Sequence, residues 1–148
     1  MIILPITLTI AGAGAILHIW LAARVSRLRR GYKISVGDGG NEALLRRIRA
    51  HGNYIENMPI VLILLGLVEL AGGDARILWG AAILFILSRI LHAFGMDQAP
   101  PSRLRMFGMM GSTLALVILA VYAIVLVYMH PTPHAGTLIP EARTASIT

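Results

Sequence analysis

The sequence predicts an all-α membrane protein built as a bundle of four transmembrane helices. Three observations lead there. Hydrophobic residues make up 57% of the 148 positions and charged residues 14%, with a mean hydropathy of +0.76; soluble domains carry roughly twice that share of charge. The apolar residues gather into four runs, each supplying the roughly 20 helical residues that cross a hydrocarbon layer of about 30 Å. Short stretches rich in glycine, proline or arginine, which end helices or mark interfaces, separate the runs.

The first helix is expected over about 2-23, because Ile2 to Ala23 contains no Lys, Arg, Asp or Glu. No positive n-region precedes it, so it reads as a retained span rather than a signal peptide. His18 inside it reads as a group satisfied by a neighbouring helix. Arg24 to Asn41 is a basic segment whose closing glycines break a helix. Asn41 then has the residue type and place of an N-cap for a second helix over about 42-71, long enough for its first turns to stand in the headgroup layer. Pro59 removes an amide donor within it and frees the carbonyl of Ile55, which predicts a bend.

Gly72, Gly73 and Asp74 form a turn, after which a third helix is expected over about 77-94. Arg89 and His92 interrupt its apolar run three residues apart, on one stripe. A guanidinium at that depth needs a partner, and Glu56 on the second helix lies at a similar depth. The pair is expected to bond or share a network. The connector from Gly95 to Ser102 holds Pro100-Pro101. A fourth helix follows over about 103-129, in which Gly108 and Gly111 allow close helix contact. Residues 1-129 thus form one membrane domain, and 130-148, rich in proline and small residues, are expected to form a loosely ordered tail in which His130 and His134 are solvated rather than metal-bound.

The formal charge of +6 does not point to nucleic acid. Eight of the 13 Lys and Arg residues lie between Arg24 and Arg49, beside an apolar segment, where basic clusters face anionic membrane lipid. The same rule puts the 24–49 segment and the 95–103 connector on the cytoplasmic side. The absence of cysteine excludes a disulfide framework, a thiolate zinc site and a cysteine nucleophile, so any thiol chemistry must use a thiol brought by a ligand. There is no nucleotide-binding loop, no His-Glu-x-x-His and no Gly-x-Ser-x-Gly.

Arg46 to Pro59 reads R-R-I-R-A-H-G-N-Y-I-E-N-M-P. At about 100° per residue, Arg46, Arg49, Asn53 and Glu56 fall within a sector of roughly 80°. One helix face thus carries guanidiniums, an amide and a carboxylate to the point where the helix enters hydrocarbon. Arginine forks grip carboxylates, asparagine satisfies a peptide amide and glutamate holds an ammonium. Those are the groups of glutathione. From the residues alone, a structural network with arginines reaching lipid phosphates stands beside the ligand site as an equal alternative.

Four short spans with R-x-R-A-H-x-N-x-x-E-N-x-P at the head of the second resemble the membrane-associated proteins in eicosanoid and glutathione metabolism, the MAPEG family. A second stretch, Ser88-Arg89-Ile90-Leu91-His92 followed by a proline connector and Arg105-Met106-Phe107-Gly108, comes at the family's spacing. The resemblance covers roughly Ile2 to Met129. It implies a homotrimer in the bacterial inner membrane, with glutathione as co-substrate between subunits on the cytoplasmic side and a lipophilic small molecule as its partner. By position, Arg49, Asn53 and Glu56 would grip glutathione, His51 and His92 would line the site, and Arg27 would reach a carboxylate. Arg105 would stabilise the thiolate as the catalytic residue, with Arg103 close by as the alternative. Two positions depart from the family pattern: Gly52 stands where some relatives carry a basic or bulky residue, and Met96 where animal enzymes often place tyrosine. Both argue against arachidonate-derived substrates. The expected activity is a glutathione-dependent transferase or peroxidase; a non-catalytic lipid-binding scaffold is the rival reading, and a channel is disfavoured by the lack of an inverted repeat.

Overall fold

A computed structural model of the protein describes residues 3–129. The tail 130–148, with His130 and His134, lies outside the described residues. Four helices follow in order, α1 (Pro5–Tyr32), α2 (Glu42–Leu70), α3 (Ala75–Asp97) and α4 (Arg103–Met129). Each is long and apolar enough to cross a membrane, and no strand occurs among the described residues. The chain is an all-α, four-span membrane bundle.

α1 does not stop at Ala23 but runs to Tyr32. Arginine and leucine propagate a helix readily once it is nucleated, and no proline or glycine intervenes before Gly31. The helix ends where Lys33 turns left-handed, with φ of 54°, and the amides of Lys33 and Ile34 return to the carbonyls of Arg30 and Arg29 at 3.4 and 3.0 Å. Such hydrogen bonds close the last turn without a glycine. At about 1.5 Å per residue α1 is roughly 42 Å long, so its basic turns stand beyond the hydrocarbon.

The other boundaries have local causes. Asn41 caps α2 by accepting the Leu44 amide at 2.9 Å. Asp74 accepts the Arg76 amide at 2.7 Å, which starts α3 immediately after the turn rather than at Ile77. α3 continues past Phe94 because Gly95 leaves room for α4: a Cβ there would overlap the backbone of Leu104 and Arg105. At the opposite end of the bundle from the basic segment, the Glu69 carboxylate of α2 accepts the amides of Ile6 and Thr7 at 2.9 and 2.8 Å and the Thr7 hydroxyl at 2.7 Å. It satisfies donors that the first turn of α1 cannot satisfy itself.

α2 and α3 form the centre, each touching the other three helices, while α1 and α4 do not meet. Leu44, Val61, Leu65 and Val68 of α2, Leu78 and Phe85 of α3 and Leu119 of α4 are fully buried between them. α4 turns Leu114, Val117, Val121 and Ile124 outward, the face a lipid-exposed span presents. In hydrocarbon the helices gain nothing by hiding leucine, so close backbone contact and polar bonds must hold them together. Gly95, Gly108 and Gly111 supply the contact between α3 and α4. Asp97 supplies polar bonds at the basic end: it pairs with the buried Arg24 of α1 and accepts from Arg47 of α2 at 3.2 Å. Arg24 also lies over the rings of Trp20 and Phe94, 4.7 and 5.7 Å from their centroids. One cation of the basic segment is therefore an internal tie, not a lipid contact.

Candidate functional site

The polar face of α2 divides in the fold. Arg46 turns aside, bonding Glu42 one turn back and the Gln98 carbonyl at 2.9 Å. Arg49, Asn53 and Glu56 continue the face and, with Gly52 and Ile48, form one wall of a cavity of about 600 Å³. α3 contributes His92 and Met96 to the other walls, and α4 contributes Arg105 and Met109. The volume lies within the range of small-molecule sites, roughly 300–1,000 Å³.

Five predicted residues meet in this cavity: Arg49, Asn53, Glu56, His92 and Arg105. Arg49, Glu56 and Arg105 form no ion pair among the described residues, so their charges are available to a ligand. Arg105, not Arg103, stands in the wall. His92 is buried, its Nδ1 at 3.5 Å from the Arg105 carbonyl oxygen, the long limit of a hydrogen bond. Met96 puts a thioether where a tyrosine would place a hydroxyl. Gly52 leaves open space, since a Cβ there would meet no atom within 4 Å.

Two predicted residues lie elsewhere in the protomer. His51 points to α1, its Nε2 at 3.2 Å from Nδ1 of His18, because two helical residues turn it about 200° from Arg49, to the side of α2 opposite the Arg49 to Glu56 face. That contact also gives His18 its neighbour-helix partner. Arg27 is exposed on the outer side of α1 and does not reach the cavity.

The partner of Arg89 also differs from the expected one. Among the described residues Arg89 makes no ion pair with Glu56; it donates through Nη1 to Oδ1 of Asn53 and through Nη2 to Oγ of Ser112. Glu56 is exposed toward the cavity and Asn53, one turn earlier, faces α3. Ser112 passes the contact on, donating to the Gly108 carbonyl at 2.7 Å. This polar thread through α2, α3 and α4 backs the cavity, and of its three side chains only Ser112 was not singled out in the sequence.

A second hollow of about 510 Å³ adjoins the first. Met106 and Met110, the Pro100-Pro101 connector and Gly95 line it, and it shares Met96, Arg105 and Met109 with the polar cavity. Arg105 therefore stands on the boundary between a charged chamber and a methionine-rich one.

The MAPEG family model matches residues 7–125, which takes in α2 and α3, most of α1 and α4, and every residue of the polar cavity. The chain belongs to the MAPEG family. Among known proteins it is 33% identical over 95 residues to inner membrane protein YecN of Escherichia coli (strain K12), covering 64% of this chain and 72% of YecN. The YecN protein of Escherichia coli O6:H1 matches to the same extent. Membership in MAPEG agrees with the four-helix membrane fold. Among the described residues no group of three metal-ligating side chains occurs.

Proposed function

We propose that this MAPEG protein is a glutathione-dependent membrane transferase or peroxidase. The observation that carries the reading is the single cavity into which α2, α3 and α4 bring Arg49, Asn53, Glu56, His92 and Arg105, three of them charged and without an ion pair among the described residues. Glutathione presents two carboxylates, one ammonium and two peptide groups. Arg49 and Asn53 donate to the acceptors, and Glu56 accepts from the ammonium. Arg105 holds the sulfur beside a guanidinium, which favours the thiolate, the nucleophilic form. The methionine-rich hollow on the other side of Arg105 admits a lipophilic electrophile from the bilayer. Attack on an aryl halide forms a carbon–sulfur bond and releases halide; with a hydroperoxide, two glutathione molecules are oxidised to the disulfide while the peroxide is reduced to alcohol and water.

Holding glutathione equally in ground and transition states would not accelerate either reaction. The rate gain is assigned to thiolate stabilisation at Arg105 and to alignment across the boundary of the two hollows. The same reading places the protein in a bacterial inner membrane, as the name of YecN has it for that relative, with the cavity at the cytoplasmic face and a homotrimer as the working unit.

Purified protein is expected to turn over a chromogenic aryl halide or a lipid hydroperoxide only when glutathione is present. Arg105→Ala should lower kcat by about 10²-fold or more, the usual scale for one preorganised electrostatic group. No response of either substrate to glutathione, with Arg105→Ala indistinguishable from the parent, rejects the enzyme reading. The methionine-rich hollow also favours a second reading, a lipid-binding scaffold; that protein would be stabilised by lipid and unaffected by glutathione.

A further inference from the structure

The geometry points to Arg89 as a positioning residue that fixes which kind of ligand atom Asn53 recognises, an inference that rests on the glutathione reading above. Arg89 is 4% exposed and forms no ion pair among the described residues. Its two bonds go to two different helices, from Nη1 to Oδ1 of Asn53 on α2 and from Nη2 to Oγ of Ser112 on α4.

An unrestrained asparagine amide presents either its oxygen or its NH₂ with almost no change of shape. A guanidinium carries donors only, so it accepts just one of those orientations: with Oδ1 toward Arg89, Nδ2 faces away. Asn53 lines the polar cavity, and its Nδ2 donates to no protein group among the described residues, the neighbouring bond at 2.7 Å being from Asn57 to the Asn53 backbone carbonyl. The amide is therefore held as a donor aimed at the ligand. A carboxylate or peptide carbonyl fits there and an ammonium is rejected, because two donors cannot bond. The cavity divides by polarity, with Arg49, Asn53 and Arg105 as donors and Glu56 as the carboxylate that takes a cation. That pattern selects a peptide-like ligand with more acceptor ends than ammonium groups.

Asn53→Asp separates this role from a purely structural one. The variant keeps the shape and gives the buried guanidinium a counter-ion, but sets an anionic oxygen where the ligand needs a donor. The expected result is a raised melting midpoint together with glutathione affinity, read by calorimetric titration of detergent-solubilised protein, lowered about tenfold or more. Arg89→Met removes the buried charge in a similar volume, an exchange that buried charges often tolerate, and frees the amide to turn. It should weaken glutathione binding several-fold alone and add nothing to Asn53→Asp, the non-additivity of two groups acting as one. Unchanged affinity in Asn53→Asp, or losses that simply add in the double variant, would overturn the inference while leaving the glutathione reading intact. A parent protein that binds no glutathione removes both.

Discussion

Gly52 and Gly108 both lie inside helices, and a methyl group added at each meets opposite surroundings. At Gly52 it finds nothing within 4 Å; at Gly108 it comes 2.5 Å from the His92 backbone nitrogen. Gly52→Ala should therefore stabilise the protein by about 0.5–1 kcal/mol, since alanine restricts the unfolded chain and prefers a helix. Gly108→Ala should destabilise it by about 1–3 kcal/mol by forcing α3 and α4 apart. Thermal melts of the two solubilised variants against the parent check both, and a Gly108→Ala protein as stable as the parent would show that the close approach is not tightly held. The sequence marked Gly108 as a packing glycine and Gly52 as a departure, and it placed Arg49, Asn53 and Glu56 on one face correctly. What it could not rank was the partner of Arg89. Depth along a helix follows from counting residues, but the rotation of one helix against another does not, so the opposite charge of Glu56 outweighed the neutral amide of Asn53. Ser112 carried no signal beyond being a hydroxyl in an apolar run.

Helices as units were legible wherever a physical punctuation mark stood at their ends. Asn41 is such a mark and caps α2 as expected, whereas Asp74, read only as part of a turn, caps α3 and starts it two residues earlier than the sequence suggests. The basic turns of α1 carry none, because a charged helical turn outside the hydrocarbon and a charged loop have the same composition; only the left-handed Lys33 distinguishes them. Glu69 was equally silent. Near the end of an apolar helix it reads as an interfacial charge, yet it holds the first turn of α1 through three hydrogen bonds. Glu69→Ala should cost about 1–3 kcal/mol, the scale of leaving such donors without their charged acceptor. Glu69→Gln, which retains one acceptor oxygen, should lose less. Both variants lie at the end of the bundle opposite the polar cavity, so glutathione affinity should stay at the parental value while the melting midpoint falls. Equal midpoints for parent and Glu69→Ala would show that water caps α1 as well as the carboxylate does.

At the scale of the whole molecule, the missing contact between α1 and α4 and the outward placement of Arg27 bear on how a site could be completed. Within one protomer Arg27 is exposed on α1 and the cavity is walled by α2, α3 and α4. If neighbouring copies complete the glutathione site, the arginine that reaches a given ligand comes from a different chain than its Glu56. A closed ring of identical subunits makes every such junction the same. Arg27→Ala and Glu56→Ala should then each weaken glutathione binding throughout a pure oligomer. Chains carrying one change or the other, co-expressed in equal amounts, should assemble at random and leave about a quarter of the junctions with both residues intact. Calorimetric titration of the mixed oligomer should accordingly recover about a quarter of the parental number of high-affinity sites. Mixing the two variants after separate purification, without exchange of subunits, should recover none. Recovery of no sites in the co-expressed oligomer, with both chains shown to be present in it, would place Arg27 and Glu56 in the service of the same protomer or remove Arg27 from the site.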